Sequence, residues 1–128
     1  MERTTTRGDR QKAFTLIELL VVMAIIATLL TLVAPQYFRQ HERAQETVLR
    51  RNLSAIRSAI DQYMEDRGAP PATLDELVEK RYLREIPLDP IAGQRDAWQI
   101  ETAVEGGVAD VRSTAPGKGL DGTDYASW

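Results

Sequence analysis

The sequence predicts an α+β fold. One long amino-terminal helix, lipid-soluble in its first half and amphipathic in its second, packs on a small antiparallel β-sheet that ends in a carboxy-terminal loop. Three observations predict this. Residues 14–34 form an apolar run in which only Thr15, Glu18, Thr28 and Thr31 are polar. Beyond it Leu49, Leu53, Ile56, Ile60 and Tyr63 recur at alternating steps of four and three, and Val48, Ala59 and Met64 widen the stripe. After Gly68 the helical period stops, and two short apolar clusters flank Gly106 and Gly107.

Each element has its own justification. Residues 1–13 are a polar leader carrying Arg3, Arg7, Arg10 and Lys12 against Glu2 and Asp9. Residues 14–34 would span about 31 Å as a helix, enough for a bilayer core of about 30 Å. The run is longer than the apolar core of a secretory signal, and no small-x-small cleavage site closes it. A helix apolar on all sides also needs a surrounding core, and the rest of the chain is too short to wrap it. Basic residues lie on both sides of the span, so the positive-inside rule leans toward an inside amino terminus without deciding it.

Pro35 removes one helical donor and crowds the carbonyl of Thr31, so a kink is expected there. Residues 35–67 then continue as the amphipathic half, with Arg50, Arg51, Arg57, Asp61 and Glu65 opposite the apolar stripe. Gly68 reads as the C-cap glycine, and Pro70 and Pro71 block resumption. A two-stranded coiled coil is the rival reading, but the stripe covers barely two heptads. Residues 68–128 form a small head, marginal alone and expected to fold against the stripe. Within it Thr73 and Glu76 have capping-box spacing and open a short helix at 73–82. Leu74, Leu77, Val78 and Leu83 give its inner face. A hairpin is expected at about 97–113. The glycine- and aspartate-rich loop 114–128 follows, with Trp128 pinning it to the sheet.

Composition excludes several functions. The chain has 128 residues, a net charge of −3 and no cysteine. With the leader at +2, the remainder is acidic and offers no basic patch, so no nucleic acid is expected as a partner. Absence of cysteine removes disulfides, thiol catalysis and thiolate metal sites. The single histidine, His41, reads as a solvated helix residue. Gly117, Gly119 and Gly122 spell a dinucleotide fingerprint, but no βαβ unit can surround it. No serine stands in a nucleophile elbow. Asn52-Leu53-Ser54 matches a glycosylation acceptor but lies mid-helix. No catalytic residues are identified, and an enzyme is not expected. Asp121 and Asp124, three apart in a glycine-rich loop, suit a hard cation such as calcium. The alternative is an ordinary polar turn, since the helix-loop-helix calcium spacing is absent.

Glu18 poses the sharpest question. A carboxylate in a membrane helix costs roughly 2.5–3.5 kcal/mol even on the lenient insertion scale, and no Lys or Arg lies between Lys12 and Arg39. The leader ends at Ala13, a small residue. Cleavage after Ala13 would create an α-amino group on Phe14 that is mostly cationic at neutral pH. That cation complements Glu18, one turn away in the same chain or across a helical assembly, where the pair would set the axial register.

"AFTLIELLVVMAIIATLLTLVAP" resembles the amino-terminal signature of type IV pilins and type II secretion pseudopilins. Phe14, Glu18 and Pro35 fall where that signature places them. The resemblance implies leader removal between Ala13 and Phe14 by a cytoplasmic-side prepilin peptidase of the inner membrane, with N-methylation of Phe14. The family's usual cleavage residue is glycine, which this chain replaces by Ala13. "YMEDRGAPPATLDELVEKRYLREIPLDPIAG" is similar to the corresponding stretch of major pseudopilins, including the turn carried by Pro87, Asp89, Pro90 and Gly93. In that branch the carboxy-terminal loop carries calcium, although this tail is shorter and poorer in acids. Many type IV pilins instead close this region with a disulfide, which this chain cannot form.

The resemblance therefore implies a structural subunit that polymerises into a periplasmic filament driving type II secretion. Its partners would be copies of itself, other pseudopilins, the prepilin peptidase and the inner-membrane secretion platform. It would sit as a single-pass protein in the inner membrane of a Gram-negative bacterium, its head in the periplasm. The alternative is a type IV pilin or DNA-uptake pilus subunit. A membrane-anchored enzyme is a third reading, and the missing catalytic constellations weigh against it.

Overall fold

The computed structural model describes residues 15–128. They fall in two units, the first reaching Phe38 and the second Arg39–Trp128. Helix α1 (Leu16–Arg67) contributes to both. Its start is capped by Thr15, whose hydroxyl accepts the Glu18 amide at 3.3 Å. Pro35 lies inside the helix, with helical backbone on both sides. At the far end Gly68 adopts φ +72° and donates its amide to Met64 at 2.8 Å, a left-handed closure that glycine makes without strain.

In the second unit the core forms on one stripe of α1. Leu49, Leu53, Ile56, Ala59, Ile60 and Tyr63 are buried. Val48 and Met64, expected to widen that stripe, are instead 46% and 43% exposed, because the small head covers only the middle of the apolar face. Helix α2 (Leu74–Glu79) supplies Leu74 and Leu77. Thr73 accepts the Glu76 amide as the capping box predicts. The Glu76 carboxylate does not return to Thr73, however. It accepts the Ala72 amide at 2.8 Å and the Tyr63 hydroxyl at 2.6 Å, tying α2 to α1.

Helix α2 is shorter than the expected 73–82, and the reason is local. Arg81 turns to φ +66°, its amide bonding Val78 and that of Tyr82 bonding Leu77. This is a Schellman closure with arginine in place of the usual glycine. It leaves Tyr82 and Leu83 half-buried against the core, with the Tyr82 ring edge-on to Tyr63 at 5.3 Å.

Strands β1 (Gln99–Thr102) and β2 (Val108–Arg112) form the antiparallel hairpin. Glu101 pairs with Asp110 and Thr102 with Val108, which leaves Ala109 as an extra residue. That bulge resets the alternation of side chains, so Val108 and Val111, three apart, are both buried. Gly107 (φ +88°) passes so close to Pro71 that a Cβ would fall 2.8 Å from its carbonyl oxygen. Val108 donates to that same oxygen at 2.7 Å, joining hairpin to loop.

The turn around Asp89 holds these parts together. Asp89 is fully buried, and its Oδ1 accepts the amides of Ile91 and Ala92, both at 2.9 Å. Its Oδ2 accepts the hydroxyl of buried Ser113, just beyond β2. Asn52 on α1 donates to the Leu88 carbonyl at 2.6 Å, so the nominal glycosylation asparagine is a structural tether.

Candidate functional site

Two regions hold the residues singled out in the sequence: the apolar start of α1 and the carboxy-terminal loop. In the first, every described residue up to Phe38 is exposed. Leu16, Ile17, Leu19, Leu20 and their apolar neighbours as far as Val33 show half or more of their surface in most cases, and none is buried by the protein. Such a surface requires lipid or other helices. Its hydroxyls are satisfied internally: Thr28 donates to the Ala24 carbonyl at 2.8 Å and Thr31 to the Thr28 carbonyl at 2.6 Å. A segment surrounded by hydrocarbon needs this, because no water is there to bond them. Glu18 stands in the first turn, exposed on this apolar cylinder. Ala13 and Phe14 lie outside the described residues.

In the loop, Asp121 and Asp124 are both exposed, but their surroundings differ. Asp121 Oδ2 lies 3.0 Å from Arg50 Nη2 of α1. Its Oδ1 accepts the Thr123 amide at 3.0 Å and the Thr123 hydroxyl at 2.6 Å. The Thr123 bonds first, and Arg50 after them, hold the Asp121 carboxyl below its usual value. The Asp124 side chain does not cap the 3-10 turn Tyr125–Ser127 that follows it. Among the described residues no three carboxylates, histidines or cysteines gather to hold a metal ion. As placed, Asp121 is committed to a cation of the protein itself, Arg50.

Sequence reasoning missed the groups on α1 that reach this loop. Glu46 is buried, and its Oε1 accepts the Leu120 amide at 2.7 Å and the Tyr125 hydroxyl at 3.0 Å. Burial, then this bond to Glu46, pushes the Tyr125 phenol up to about 12. Arg50 also stacks on Trp128, its guanidinium carbon 3.8 Å from the ring centroid. Trp128 therefore ties the loop to α1 as well as to the sheet, since the cation it stacks on belongs to the helix while the turn Tyr125–Ser127 lies against β2. A signal was present: Glu46 precedes Leu49 and Leu53 by three and seven residues, on the buried face, and a polar residue there announces a partner.

An exposed apolar helix bearing a single acid, continued into an amphipathic half under a small α+β head, defines a pilin-like subunit anchored by one membrane helix. The comparisons narrow the class. The prokaryotic N-terminal methylation motif matches residues 8–34. Type II secretion system core protein G of Pseudomonas aeruginosa is 36% identical over 97 residues, 63% of this chain and 68% of that protein. Its namesake from Pectobacterium carotovorum is 30% identical over 139 residues, 94% of this chain and 86% of the relative. Type IV major pilin protein PilA of Myxococcus xanthus is 26% identical over 113 residues, 88% of this chain but 46% of the pilin. No solved structure matches significantly. The chain belongs to the type II secretion core protein G family, the major pseudopilins.

Proposed function

We propose that this chain is the repeating subunit of a periplasmic filament that drives type II protein secretion. It acts as a structural part and not as an enzyme. The observation that carries the reading is the nearly full-length match to relatives named core protein G, 86% of one of them covered at 30% identity. In this reading the subunit waits in the inner membrane by its single span, head in the periplasm. A prepilin peptidase removes the leader between Ala13 and Phe14, and Phe14 is N-methylated. Extraction by the secretion platform then brings Glu18 of one subunit to the Phe14 amino group of its neighbour, and Pro35 bends the helix for packing. The exposed apolar surface of α1 exchanges lipid for neighbouring helices, so little hydrophobic stabilisation is lost in the transfer.

Deleting the gene tests this. Secreted proteins should accumulate in the periplasm, and the wild-type gene on a plasmid should restore their export. Unchanged secretion with loss of surface pili or of adhesion would instead favour the type IV pilin reading, to which the Myxococcus xanthus relative lends support.

A further inference from the structure

Resemblance to major pseudopilins implies calcium in the carboxy-terminal loop, and the donor set of this loop argues otherwise. The loop folds on itself, Gly119 bonding Thr123 and Tyr125 bonding Gly117, but it still has to be fastened to the rest of the head. A calcium ion does so by collecting six to eight oxygens from carboxylates and carbonyls. Here several of those oxygens are engaged. Both oxygens of Asp121 are taken, by Arg50 and by Thr123. The carbonyls of Gly117, Gly119 and Thr123 accept the amides of Tyr125, Gly122 and Gly119. A divalent cation placed at Asp121 would also face the Arg50 guanidinium, a like charge at contact distance.

We propose that Glu46 and Arg50 of α1 replace the metal, clamping the carboxy-terminal loop in a calcium-independent latch. The two side chains are one helical turn apart and grip from the same face. Glu46 satisfies loop donors, the Leu120 amide and the Tyr125 hydroxyl. Arg50 satisfies a loop acceptor, Asp121, and covers the Trp128 ring. Trp128 closes the circuit by donating its indole N–H to the Thr123 hydroxyl at 2.6 Å and meeting Tyr125 edge-on at 5.0 Å. Gly119 leaves room for the indole, since a Cβ there would fall 2.5 Å from Trp128 Cζ2. Anion, cation and aromatic ring thus supply the cross-links that a metal would otherwise make. The latch holds whichever filament the subunit builds, so its failure and that of the secretion reading appear in different experiments.

The test is thermal unfolding of the full chain in detergent micelles, in 1 mM calcium chloride (about) and in excess EGTA. The wild-type melting temperature should be the same in both within about 1 °C. Glu46→Ala and Arg50→Ala should each lower it by roughly 5 °C, equally with calcium and with chelator. Should Glu46→Ala fail to fold, solvent-side Arg50→Ala carries the test through tryptic cleavage after exposed Lys118. That cleavage should be several-fold faster than in wild type whether or not calcium is present. A calcium-dependent rise in the wild-type melting temperature that Asp121→Asn abolishes would overturn the proposal. So would an Arg50→Ala chain that melts and is cleaved like wild type.

Discussion

Ile56→Ala should be among the most destabilising single truncations in the head, and the structure sets the size of the effect. Ile56 is 0% exposed, between Leu53 and Ile60 on the covered face of α1. The change removes three carbons, worth about 2.4 kcal/mol at about 0.8 kcal/mol each. The cavity that remains raises this to about 3–4 kcal/mol, because packed neighbours relax only in part. A unit the size of Arg39–Trp128 has about 5–13 kcal/mol in all. The loss corresponds to a fall of roughly 12–30 °C in melting temperature. Val48→Ala is the paired control. The helical stripe gives both residues inward positions, but Val48 is 46% exposed, and its truncation should cost under about 1 kcal/mol. Circular dichroism melts of a fragment beginning at Gln36 compare the two. Equal losses for both variants would refute the arrangement of helix and head.

Two further outcomes are expected. Stability of the head should respond to pH at both extremes. The Tyr63 hydroxyl first, then the Ala72 amide, hold the Glu76 carboxyl below its ordinary value, and Asp121 is depressed likewise. Their contribution is therefore present above the ordinary carboxyl range and is lost as pH falls below about 4. Tyr125, raised to about 12, contributes fully below about pH 10, and that share is lost as pH climbs toward 12. Urea titrations across pH check both limbs; a flat acid limb would contradict the Tyr63–Glu76 link. Processing should leave Phe14 as the mature amino terminus, about one methyl heavier than the bare residue. Intact-mass analysis of membrane extracts reads this directly, and a chain beginning beyond Ala34 would indicate an ordinary signal peptide.

Much of this architecture was legible in the sequence because it follows from periodicity. The steps of four and three from Leu49 to Tyr63 mark a buried helical face, and all five residues are buried. Gly68 and Thr73 act as the stop and start that their chemistry suggests. Less legible were features that depend on contacts distant in sequence. Nothing near Arg81 announces that a non-glycine residue will take the left-handed position; the packing of Tyr82 on Tyr63 draws the chain there. Asp89 was readable as part of a turn, but not as the buried group that receives Ser113 from 24 residues away. The fastening of the loop was hidden for the same reason: along the chain Asp121 has only turn residues for neighbours, while Arg50, which it binds, is 71 residues distant.

The central proposal is that the apolar first half of α1 is an assembly element whose one acid, Glu18, orders subunits. Its most direct test is Glu18→Val, scored by electron microscopy of surface filaments after overexpression, with inner-membrane fractionation as control. Valine is better accommodated by lipid than a carboxylate, so insertion should be intact. The attraction to a neighbour's Phe14 amino group would be lost at every added subunit, so filaments should disappear while the protein stays in the membrane. Glu18→Asp, which keeps the charge on a shorter reach, should give fewer filaments than wild type and more than the valine variant. Wild-type numbers of filaments from Glu18→Val would contradict the account.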